Sequence, residues 1–137
     1  CGKPVDNNGT YVDYLKQDKK NNCSRIVDKS DPESKRAELE YKVLDCIQTE
    51  EKDPQYLSLV EIKLLTGRHH QIRVQFSGHG TPLYGDGKYG NNEKAVRKSL
   101  ALCACHLKFK HPATGKIMDF QIKPDTGAFK LFSKSND

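Results

Sequence analysis

Two long stretches of mixed apolar and polar residues, about Ala37–Gln48 and Tyr56–Leu65, predict β-strands joined by the acidic, proline-containing segment 49–55. In the second, Leu57, Leu59, Glu61 and Lys63 alternate with Ser58, Val60, Ile62 and Leu64, so both faces are partly apolar. Upstream the chain is polar and turn-rich, with breaks at Asp6-Asn7-Asn8-Gly9, Lys16 to Asn22 and Asp31-Pro32. Short strands near Tyr11–Leu15 and Cys23–Val27 fit between these breaks. Downstream, Ile72 and Phe76 fall at i and i+4 and predict a short helix over about His69–Gly78. A glycine-dense loop runs from Gly78 to Gly90, where Gly85, Gly87 and Gly90 are free to take positive φ. A second hairpin, Leu100–Lys110 and Ile117–Ile122, turns through residues 111–116, and Gly127–Ser133 predicts a terminal helical turn. The class is α+β: a mostly antiparallel, mixed β-sheet with a few short helices, in a single domain over residues 1–137.

The polar side chains of the predicted helix sit where stability alone would not put them. An apolar run ends in Thr66-Gly67, and Arg68, His69, His70, Gln71 and Arg73 follow. Thr66 suits an N-cap, and Gly67 relaxes the backbone where strand turns into helix. The helix macrodipole is positive at its N-terminus, so cations crowded there are unfavourable unless an anion joins them. Free N–H groups and these side chains together suit a phosphate or a buried carboxylate.

Charge and composition sharpen this only a little. The net charge is +5, but 18 acidic residues offset 23 basic ones, so a polyanionic partner is favoured weakly. Hydrophobic content of 35% is low for a self-sufficient globule, as expected if some sheet faces are covered by another piece. The sequence has no apolar run long enough to span a membrane and no secretory h-region at its start. Five cysteines, an odd number, fit a reducing cytoplasm. Cys103 and Cys105 stand two apart in a predicted strand, roughly 6.5–7 Å between Cα atoms, near or beyond the limit for a disulfide.

The string TGRHHQIRVQ, residues 66–75, followed by GHGTPLYGDGKYG, residues 78–90, resembles a motif of the RluA-type pseudouridine synthases. The resemblance extends upstream through Lys35–Leu44 and downstream through Leu100–Pro124, with its HP and TG dipeptides, and so covers most of the chain. It implies a pseudouridine synthase-like catalytic domain that isomerises uridine in structured RNA, ribosomal or transfer RNA, without cofactor or metal. An aspartate attacks, the glycosidic C–N bond breaks, the base turns, and a C–C bond forms through C5. Such enzymes take the base out of its stack.

The family's nucleophile lies in an H-R-L-D-x-x-[TV]-S-G-like string, and none occurs here. Arg25-Ile26-Val27-Asp28 has the wrong spacing and no Ser-Gly after it, and neither Tyr11 nor Tyr14 matches the family's tyrosine motif. The resemblance therefore implies the C-terminal portion of a catalytic domain, inactive alone and completed by an N-terminal part. It implies that Arg73 is the ion-pair partner of the absent aspartate, which would otherwise lose its charge in a desolvated pocket. Within this chain, Arg73 is then expected to be solvated or paired with a substitute anion. Arg68, His70 and Gln71 are candidates for the nucleotide phosphate or for bracing the loop beneath the site.

Asp86 reads as a loop aspartate bonding backbone amides in preference to a catalytic carboxylate. Metal binding is disfavoured: His106 points away from Cys103 and Cys105, and no C-x-x-C pair exists. Gly85-x-Gly87-x-x-Gly90 lacks the strand and helix of a dinucleotide unit. Two rivals to the enzyme remain: a non-catalytic RNA-binding module that kept the fold, and an interaction domain binding protein through an uncovered sheet.

Overall fold

The computed structural model describes residues 1–50, 54–90 and 98–132. They fall into two compact units, Cys1–Leu100 and Ala101–Asp137. The first holds four strands, β1 (Asn8–Asp18), β2 (Cys23–Val27), β3 (Lys35–Gln48) and β4 (Tyr56–Leu64), and one helix, α1 (Gln71–Gly78). All neighbouring strands are antiparallel, in the order β2-β1-β3-β4. The expected hairpin of β3 and β4 is present; residues 51–53 of its connection lie outside the described residues.

Register explains which side chains form the core. Tyr11 pairs with Leu39, Asp13 with Ala37, and Leu39 with Leu64, so alternate residues of the strands share one face. Helix α1 covers it. Val74 packs with Leu15 and Ala37, and Phe76 packs with Leu39 and Tyr41. Ile72 joins the second group from the rim, alongside Tyr11, Val43, Val60 and Ile62. Phe76 meets the rings of Tyr11 and Tyr41 edge-on, at 5.3 and 5.9 Å between centroids. The register slips between Val43 and Asp45, and the extra residue, Leu44, is half exposed.

The helix starts two residues later than its apolar spacing suggests. His70 occupies the N-cap in a left-handed conformation, φ 54 and ψ 24, without a side-chain cap. Thr66 is not that cap. Its hydroxyl lies four residues upstream, accepting the Glu38 N–H at 2.8 Å. The reason is the ladder: the Leu65 and Thr66 amides still reach the Glu38 carbonyl, so the backbone there remains tied to β3.

The second unit contains a hairpin, β5 (His106–Lys110) and β6 (Ile117–Gln121), followed by a 3-10 turn at Gly127–Leu131. β5 is shorter than the stretch expected from Leu100. β6 supplies partners only as far as the Ile122 amide, which reaches the Cys105 carbonyl, so residues 100–104 have no ladder to join. Cys103 therefore lies outside a strand, and all five cysteines are free thiols. Ser133, the expected end of the terminal helix, lies outside the described residues.

Candidate active site

The turn from β4 into α1 is stapled to the middle of β3. The Gln71 side chain is buried, and its Oε1 accepts from the Thr66 hydroxyl at 2.8 Å and from the Arg68 amide at 2.9 Å. Its Nε2 donates to the Glu38 carbonyl at 3.1 Å. Gln71, expected among the phosphate-binding residues, thus spends its polar atoms within the turn, in the bracing role. Arg68 is exposed, and its Nε is anchored to the Arg36 carbonyl at 2.9 Å. It does not join the cluster formed by the other candidates.

That cluster centres on Arg73 and the loop that follows α1. Arg73 donates from Nε to Oδ2 of Asp86 and from Nη2 to Oδ1, each at 2.8 Å, a side-on bidentate pair. The expectation that Arg73 lacks a carboxylate partner in this chain is corrected: the loop folds back over one turn of helix and delivers Asp86 to it. Asp86 also accepts the Lys88 and Tyr89 amides on Oδ1, each at 3.0 Å, as a loop aspartate should. Its side chain is fully enclosed, whereas that of Arg73 keeps 17% of its surface. Burial pushes the Asp86 carboxyl up, but the Arg73 pairing and the two amides outweigh it and hold the group below the usual carboxylate range. Gly85 makes the turn possible. It sits at φ 75, and a Cβ there would lie 2.2 Å from the Ser99 carbonyl oxygen.

Tyr89 links this pair to the histidines. Its ring lies beneath the Arg73 guanidinium, 4.9 Å from Cζ to centroid. Its hydroxyl accepts the Ser24 amide at 2.9 Å and bonds Nδ1 of His70 at 2.7 Å. His69 stacks on His70 and bonds Ser24 Oγ through Nδ1 and Asn22 Oδ1 through Nε2. Burial, reinforced by the nearby His69, Arg73 and Lys88 charges, pushes the His70 imidazole below its ordinary value. His70 and Arg73 thus share a site, Arg68 lies to one side of it, and Gln71 lies beneath it.

Tyr89 matches the motif with Asp86 but carries no expected role of its own, and Asp86 is expected to bond backbone amides, not Arg73. The signal for both was the GD-x-x-YG spacing, which puts a carboxylate and an aromatic ring three residues apart in a glycine-bounded turn. Among the described residues no group of three His, Cys, Asp or Glu side chains is placed to hold a metal ion, and no helix is long and apolar enough to cross a membrane.

With this geometry in view, comparison with known proteins settles the class. Residues 1–78 match the family model described as RNA pseudouridylate synthase. The chain belongs to that family. An uncharacterized RNA pseudouridine synthase of Aquifex aeolicus is 40% identical over 103 residues, which are 69% of this chain and 31% of that protein. Ribosomal large subunit pseudouridine synthase D of Zymomonas mobilis is 37% identical over 110 residues, 74% of this chain and 32% of that protein. The chain thus spans about a third of the length of these curated relatives. Among solved structures, human RNA Pseudouridylate Synthase Domain Containing 1 superposes with a TM-score of 0.74 over 90% of this chain and 51% of its own, at 22% identity. That likeness concerns the fold, and it agrees with the α+β class and antiparallel sheets read from the sequence.

Proposed function

We propose that this chain contributes part of the active site of an RNA pseudouridine synthase that isomerises uridine in ribosomal or transfer RNA in a reducing cytoplasm, without metal or cofactor. The observation that carries this reading is the TGR-x-HQIR turn, with a partly exposed arginine, Arg73, held on a buried carboxylate. The nucleophilic aspartate is not among these 137 residues, since none stands in an HRLD-like setting. In the complete site its carboxylate meets the guanidinium of Arg73, which keeps it ionised as it attacks. The exposed Arg68, to one side of this point, faces the RNA backbone, where its contribution is electrostatic and salt-sensitive, whereas His70, held below its ordinary pKa, contributes hydrogen bonding and not charge. Gln71 acts by holding the turn.

One observation favours a second reading, an RNA-binding module without catalysis: Arg73 already has a carboxylate within the chain. A single experiment separates the two. Radiolabelled uridine in transcribed ribosomal and transfer RNA is converted by the full-length protein, not by the 137-residue chain, and Arg73→Ala in the full-length protein lowers the rate by orders of magnitude. Loss of a group on which the chemistry depends costs orders of magnitude in rate. Turnover by the 137 residues alone overturns the missing aspartate, and full activity of Arg73→Ala overturns the role of Arg73.

A further inference from the structure

We infer that Asp86 is a positioning residue for the reaction, fixing Arg73 by one edge so that the other edge is presented to the reacting carboxylate; this rests on the reading of Arg73 given above. The geometry of the pair distinguishes its two ends. Arg73 spends Nε and Nη2 on Asp86, and among the described residues nothing in the chain bonds Nη1. The ring of Tyr89 packs against the guanidinium, 4.9 Å from Cζ to centroid, a second contact beside the carboxylate. Asp86 is fully enclosed while Arg73 is partly exposed, so a ligand can touch the arginine but not the aspartate. Asp86 can therefore act only through Arg73. A guanidinium held by two parallel bonds is directional in a way a solvated one is not.

The two carboxylate oxygens of Asp86 do separate work. Oδ1 accepts the Lys88 and Tyr89 amides as well as Nη2, and these bonds form the loop. Among the described residues, Oδ2 accepts only the Nε of Arg73. Asp86→Asn keeps an oxygen for the loop and for Nη2 but sets an NH₂ donor against the Nε–H and removes the charge, so it leaves the arginine on one neutral bond while sparing the turn.

In the full-length protein, Asp86→Asn is expected to lower kcat roughly a hundredfold, the cost of misplacing a reacting group by about 1 Å, with KM for the RNA little changed. The double variant Arg73→Ala/Asp86→Asn is expected to be no slower than Arg73→Ala, because both remove one device. In the same full-length protein, the side-chain NMR signals of Arg73 are expected to show slow rotation about Nε–Cζ in the wild type and averaged Nη signals in Asp86→Asn. If Asp86→Asn loses its fold by circular dichroism, Asp86→Glu, which keeps the charge and moves it one methylene outward, carries the same kinetic test. Wild-type kcat in a folded Asp86 variant, a double variant slower than Arg73→Ala, or unchanged Arg73 signals would overturn the inference. Full activity in Arg73→Ala strikes instead at the reading beneath it, whatever Asp86→Asn does to the Arg73 signals.

Discussion

Replacing Gln71 by alanine tests whether this residue serves the turn or the RNA. The change removes an oxygen that accepts from the Thr66 hydroxyl and the Arg68 amide, and a nitrogen that donates to the Glu38 carbonyl. Three net hydrogen bonds at about 1 kcal/mol each would set an upper figure near 3 kcal/mol. Two of the stranded groups keep other partners: the Glu38 carbonyl retains the Leu65 and Thr66 amides, and the Thr66 hydroxyl retains the Glu38 N–H. The Arg68 amide loses its acceptor, and about one buried methylene is lost, worth about 0.8 kcal/mol. The expected cost is therefore about 2 kcal/mol. Urea denaturation of the 137-residue chain, followed by circular dichroism, should show the midpoint falling by about 1 M at the slope usual for small domains. An unchanged midpoint combined with weaker RNA binding would refute the reasoning and return Gln71 to the RNA surface.

Two further perturbations probe the loop and the histidines. Gly85→Ala must hold φ 75 with a Cβ 2.2 Å from the Ser99 carbonyl oxygen, so it should destabilise the chain by at least about 2 kcal/mol; a midpoint equal to wild type would show that the loop does not need this turn. The folded-state pKa of His70 lies below its ordinary 6.5, so the unfolded chain binds the proton more readily, and wild-type stability falls as pH drops below about 6.5 until the folded group also titrates. His70→Asn keeps a residue that tolerates the left-handed cap and lacks the proton site, so its urea midpoint should change less with acid. Parallel loss of stability in both proteins from pH 7.5 to 5.5 would remove His70 as the cause.

Much of this protein is fixed by its local sequence. Alternation and turn residues mark the four strands of the sheet to within a few residues, because a side-chain period of two and a Gly, Pro or Asn break act over short range. The TGR-x-HQIR string points to Arg73 before any coordinates through its resemblance to the pseudouridine synthase motif, while the crowding of cations at a strand-to-helix turn says only that an anion suits that place. The sequence could not say which anion Arg73 would meet first. That depends on a loop closing over one helical turn, with Gly85 passing against the Ser99 backbone and Asp86 shut away from water. Nor could it show that Gln71 faces inward. Its amide nitrogen reaches β3, whose Glu38 backbone lies 33 residues away in the chain and 3.1 Å away in space. Hydrogen-bond partners of buried polar atoms are set by which strands become neighbours, and that is decided only when the sheet assembles over Leu39 and Phe76.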